Sequence, residues 1–225
     1  MSVAEENFKF FENKMGATEI ATKEALRLVE DWVQKLDPKF IVEIGAGIGT
    51  ITRLLSKTID DKSMILAYEK NEWCRNRFWE NFSFPNIELY SNLPELLGHS
   101  ATNIDLLIVD DFLNQSETNQ LVHKFIPQIV FIEGHRRMQQ IYFARALYSS
   151  GLKFKYKYHG ETSDSYKGGV SFVTSHYSKY KNYSGISNYS LVLSRICCGL
   201  ISSKRAEIRS KISFRTILAR VGLQI

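Results

Sequence analysis

Apolar and polar positions divide this chain into short apolar runs separated by longer stretches in which apolar residues recur every three or four places. Phe40 to Ile44 (FIVEI), Ser63 to Tyr68 (SMILAY), Ile87 to Tyr90, Ile104 to Val109 and Gln128 to Ile132 are the runs. Continuous apolar character suits parallel strands covered on both faces. Ala17 to Leu36, Thr50 to Lys57 and Arg136 to Ser150 carry helical spacing. The first of these helices is expected over about 17–36, with Thr18 as its cap and Asp37-Pro38 as its stop. Lys153 to Tyr158 and Gly169 to Ser175 read as two last strands, the first with alternating lysines suited to a sheet edge. Strands alternating with helices predict an α/β sheet joined by right-handed crossovers.

The first strand runs straight into Gly45, Ala46, Gly47, Ile48, Gly49 and Thr50. Three glycines at alternate positions permit a sharp turn and let a ligand lie close to the backbone. A helix starting at Thr50 would turn its first N–H groups toward that ligand. A dinucleotide fingerprint needs its third glycine three residues after the second, but Thr50 stands there. Glu69, at the end of the second run and 20 residues beyond Gly49, is placed to accept hydrogen bonds from ribose hydroxyls. The plainer alternatives are a tight turn without a ligand and a surface Glu69 paired with Lys70.

Glu43 precedes the first glycine by two places, and the resulting E-x-G-x-G-x-G pattern resembles motif I of the class I S-adenosylmethionine-dependent methyltransferases. The resemblance covers roughly Ala17 to His176. It implies a three-layer Rossmann-like fold, with a mostly parallel seven-stranded sheet and helices on both faces. It also implies S-adenosylmethionine as cofactor, held by Glu43, Gly45, Ala46, Gly47, Gly49, Thr50, Glu69, Lys70, Ser91, Asn92 and Asp110. Met15 to Thr18 would close over the cofactor, and Trp73 or Lys70 would flank the adenine; the plainer alternatives are an ordinary helix start, and packing or solvated surface. The segment GETSDSYKGG is polar and glycine-rich, hence a loop, and is expected over the acceptor.

The fourth run stops at Asp110-Asp111 and the fifth at Glu133-Gly134-His135. With Glu43 and Glu69, acidic ends therefore recur on four strands, all directed to one sheet edge by the crossovers. His135, Asp110 and Asp111 are the candidates to take a proton from an acceptor hydroxyl. By resemblance to small-molecule O-methyltransferases, Asp110, Asp111 and Glu133 would hold a divalent cation such as magnesium, whose ligands are oxygens. The alternative for Glu133 is an ion pair with Arg136 or Arg137. The sequence lacks the Asn/Asp-Pro-Pro-aromatic motif of the enzymes of this resemblance that methylate exocyclic base nitrogens, which disfavours DNA base methylation.

The overall charge of +5 hides an asymmetry: residues 1–134 hold 13 Lys+Arg against 21 Asp+Glu, and residues 135–225 hold 16 against 3. Since the resemblance ends near His176, the expected domain spans 1–177, followed by a linker and basic amphipathic helical tail over 178–225. That tail, from 190 onward, could meet a membrane surface, a nucleic acid or the domain itself. Cys74, Cys197 and Cys198 offer neither a disulfide framework nor zinc spacing. The N-terminus lacks the pattern of a secretory signal, so a cytoplasmic protein, peripheral to a membrane if the tail binds one, is expected. The reading is an O-methyltransferase of a small-molecule or sugar-like acceptor. Its rivals are a non-catalytic module attached to RNA or membrane by its tail, and a nicotinamide-dependent oxidoreductase.

Overall fold

The computed structural model describes residues 1–81, 83–134, 136–159 and 168–197. Its described residues form one seven-stranded sheet: β1 (Phe40–Ile44), β2 (Met64–Tyr68), β3 (Ile87–Tyr90), β4 (Asn103–Val109), β5 (Ile126–Glu133), β6 (Phe154–His159) and β7 (Gly169–Thr174). The spatial order is β3-β2-β1-β4-β5-β7-β6. The first five strands pair in parallel, while β7 runs antiparallel to both β5 and β6. The seven-stranded, mostly parallel arrangement is the one the strand pattern and the resemblance imply.

Alternation along β1 sends Val42 and Ile44 into one core and Ile41 into the other, all fully buried. One core is covered by α5 (Leu93–Gly98), α6 (Gln115–Lys124) and α7 (Arg137–Ser149). Helices α1 (Val3–Phe11), α2 (Lys23–Leu36), α3 (Thr50–Thr58) and α4 (Glu72–Asn81) cover the other. Three layers result because each central strand is apolar on both sides and requires a helix on each.

The N-terminal region departs from the sequence reading. Helix α1 was not anticipated, although Ser2 and Glu5 form the capping box that starts it. Glu30 of α2 further accepts from the Val3 and Ala4 N–H groups at 3.2 Å. The helix expected over 17–36 is broken: Ala17–Glu19 is a 3₁₀ turn, and α2 begins only at Lys23. Thr22, not Thr18, caps it, its hydroxyl accepting from the Ala25 N–H. Asp37 ends α2 in the left-handed conformation, φ 46°, and Pro38 follows it.

The stretch read as a linker, 178–189, lies against the sheet. Tyr156 of β6 and Ile186 exchange backbone hydrogen bonds of 2.8 and 2.9 Å. Residues 189–197 are helical and bury Val192 and Ile196 in the α7-side core. Tyr189 stacks on Tyr148 of α7, with ring centroids 4.2 Å apart. The domain thus extends past the expected boundary at 177. The rest of the basic tail, 198–225, and most of the polar connection at 160–169 lie outside the described residues.

Candidate functional site

Strand order reverses between β1 and β4, since the chain moves outward to β2 and β3 and then returns to the other side of β1. A crevice outside the carboxyl ends of the strands opens at such a point. Register aligns Ile44 with Tyr68 on one side and Val109 on the other, and Val109 with Ile132. Glu69, Gly45, Asp110 and Glu133 therefore leave the sheet side by side, as their positions in sequence predict. A cavity of about 490 Å³ lies above them, lined by Glu43, Gly45, Ala46, Gly47, Thr50, Glu69, Lys70, Asp110 and Asp111 among others.

The glycine turn is held from within. The N–H groups of Gly45 and Ala46 both donate to the Tyr68 carbonyl, and that of Gly49 donates to Ala46. The Gly47 N–H donates to the Glu69 carboxylate at 2.8 Å, whose other oxygen accepts from the Asn71 N–H at 2.7 Å. Gly45, Gly47 and Gly49 all have positive φ. At Gly45 a side chain is excluded twice over, because a Cβ would also come within 2.8 Å of the Asp111 N and 2.7 Å of its Cβ.

Below the turn, Glu43 is fully buried. Thr52 of α3 donates to one of its oxygens at 2.6 Å, and the other has no hydrogen-bond partner. Burial pushes the Glu43 carboxyl up to about 8, helped by the Glu69 charge and opposed by the Thr52 hydrogen bond. Such an orphaned buried oxygen on a cavity wall is suited to a cationic or hydrogen-bond-donating ligand.

On the other side, Arg136 reaches back over two strand ends. Its Nη2 pairs with Asp110 and lies 3.7 Å from Glu133. Burial and the charge of Glu133 hold the Asp110 carboxyl well above its ordinary range, and burial raises Glu133 despite Arg136. Lys70 pairs with Asp111 at 2.7 Å.

The metal arrangement expected at Asp110, Asp111 and Glu133 is not the one found. Among the described residues no group of three or more His, Cys, Asp or Glu side chains could hold a metal ion. Arg136 already lays its positive charge across Asp110 and Glu133, while Lys70 draws Asp111 elsewhere. The residues present do not fit a bound divalent cation.

Two further expectations change. Asn92 is the cap of α5, its side-chain oxygen accepting from the Glu95 N–H at 2.9 Å. Neither Asn92 nor its neighbour Ser91 lines the cavity, and Gly49 contributes its turn geometry at the N-cap of α3 rather than a lining surface. His135 lies outside the described residues. The cavity also gains walls that spacing alone did not indicate, chiefly Ile20, Ala21, Asn71, Cys74 and Arg136. Gly16 and Thr18 line it as well. Gly16 sits so close to Trp73 that a Cβ would come within 2.9 Å of the indole.

No protein-family model matches the sequence, and no curated protein matches it. Solved structures do match. An SAH-bound methyltransferase from Podospora anserina, PaMTH1, is similar at 13% identity with a TM-score of 0.58, over 77% of this chain and 87% of that one. An O-methyltransferase from Bacillus cereus in complex with SAH is similar at 11% identity and a TM-score of 0.57, over 77% and 90%. TomG from Streptomyces achromogenes, an O-methyltransferase involved in tomaymycin synthesis and solved with SAM, shares 10% identity at a TM-score of 0.55 over the same fractions. At these identities the likeness is one of fold.

Proposed function

We propose that this chain, which has the methyltransferase fold, is an S-adenosylmethionine-dependent enzyme that methylates an oxygen of a small-molecule acceptor. The observation that carries the proposal is the glycine turn, where the Glu69 carboxylate already takes the Gly47 N–H that a pyrophosphate would need. Beside it, buried Glu43 leaves one oxygen without a partner at the cavity wall, suited to a donor of the ligand. A nicotinamide dinucleotide therefore fits poorly.

In this reading Glu69 accepts the ribose hydroxyls with the lone pairs left over from Gly47 and Asn71. The free oxygen of Glu43 receives a donor of the amino-acid portion. The cofactor supplies an electrophilic methyl group. The protein's task is then to orient the acceptor oxygen in line and remove its proton, and Asp110, at the cavity wall beside Glu133, is the group placed to do so. Oxygen as the acceptor atom is supported by the O-methyltransferases among the similar structures. The basic excess of residues 135–225 supports attachment to an anionic surface, lipid or RNA, through 190–225.

Calorimetric titration with S-adenosylhomocysteine, and with NAD as control, tests the proposal. Binding of the former alone is expected. Binding of NAD alone, or of neither, would refute it.

A further inference from the structure

Resting on the methyltransferase reading, we infer that Arg136 stands in for a divalent cation, so that this site organises its acceptor without metal. Two acidic strand ends, Asp110 and Glu133, converge at the cavity edge with a guanidinium laid across both. Both contacts are made through Nη2, and the Arg136 side chain is 35% exposed and lines the cavity. Its Nε is buried without a hydrogen-bond partner. A guanidinium carries five N–H donors in a fixed plane. The fork thus has donors to spare beyond those that hold the carboxylates.

A divalent ion would have to enter beside this fixed positive charge and displace it from its carboxylates, which like-charge repulsion opposes. The third carboxylate is also diverted, with Asp111 held by Lys70 at 2.7 Å and its other oxygen accepting from the Phe112 N–H at 2.7 Å. An acceptor oxygen arriving at Asp110 would instead meet a positive charge supplied by the chain itself. Such a preorganised cation stabilises developing negative charge on oxygen, as a metal does by Lewis acidity. Arg136 is in this sense a positioning residue for the Asp110–Glu133 pair and an electrostatic partner for the acceptor.

The test reads metal affinity directly. Manganese(II) is titrated into the full chain and into Arg136→Ala, with the free ion followed by electron paramagnetic resonance, and folding is checked by thermal melting. The wild type is expected to bind no manganese at the site, and Arg136→Ala, which leaves two facing carboxylates without their cation, to bind it at least tenfold more tightly. If Arg136→Ala does not fold, Arg136→Gln is read the same way. Arg136→Lys, which keeps the positive charge, should stay metal-free. Stoichiometric manganese binding by the wild type, lost on Asp110→Asn, would overturn the inference, as would an unchanged manganese affinity in the folded Arg136 variants. S-adenosylhomocysteine titration of the wild type separates the two proposals: no binding sinks the methyltransferase reading, whereas the manganese result decides the role of Arg136.

Discussion

The Glu69 carboxylate accepts the Gly47 N–H at 2.8 Å, so the acid at the end of β2 and the second glycine of the β1–α3 turn form one unit. A residue expected to touch a ligand therefore also shapes the backbone against which that ligand rests. Since Glu69 is largely buried, this bond is shielded from competing water.

Glu69→Gln tests that double role. An amide has one acceptor oxygen, so its NH₂ would have to face either the Gly47 or the Asn71 N–H. Leaving one buried donor unmatched costs about 1–3 kcal/mol. The variant should melt lower than the wild type and bind S-adenosylhomocysteine at least tenfold more weakly in calorimetry. Unchanged melting together with lost binding would mean that the turn does not depend on Glu69.

Glu43 makes stability depend on pH. Its carboxyl is raised from an ordinary 4.5 to about 8, so the folded chain keeps a proton that the unfolded chain releases across that window. Its favourable contribution is fully present below about pH 4.5 and is lost as pH rises toward about 8, at up to ~1.4 kcal/mol per pH unit. Glu43→Gln should abolish this slope. The check is the difference in unfolding free energy between wild type and variant at several pH values, and a constant difference would refute it.

Shortening the chain tests where the domain ends. A protein of residues 1–177 loses the buried Val192 and Ile196 and the paired hydrogen bonds between Tyr156 and Ile186. Burial of one such side chain stabilises by about 1.5–3 kcal/mol. Urea unfolding should show 1–177 to be less stable than 1–197 by about 3 kcal/mol or more. Equal stability would show that 178–197 rests on the surface without contributing.

Much of the architecture was legible because it depends on local patterns. Five apolar runs with helical segments between them predict a parallel sheet, and the acids at Glu43, Glu69, Asp110 and Glu133 fall on one edge once the crossovers share a hand. Helix α1 was missed although Ser2 and Glu5 carry its capping box, because it is short and its apolar face is modest. The break at Ile20–Thr22 was not legible. Ile20 and Ala21 continue the helical spacing of α2, yet Gly16 packs against Trp73 while Ile20 and Ala21 line the cavity, placements that only the folded chain creates.

Spacing and side-chain type by themselves determined the parallel sheet, the glycine turn and the row of carboxylates, because period and chirality act over a few residues. Tertiary structure decided which cation those carboxylates face. Arg136 follows Glu133 by three positions, a separation as compatible with an outward, solvated side chain as with one folded over Asp110. Asp110 belongs to a different strand, and the preference for that pairing arises from the burial of Asp110, which removes water as the competing partner of its carboxylate. The same reasoning holds for Val192 and Ile196, whose apolar character was plain in sequence, while the surface they cover exists only once β6 and α7 are in place.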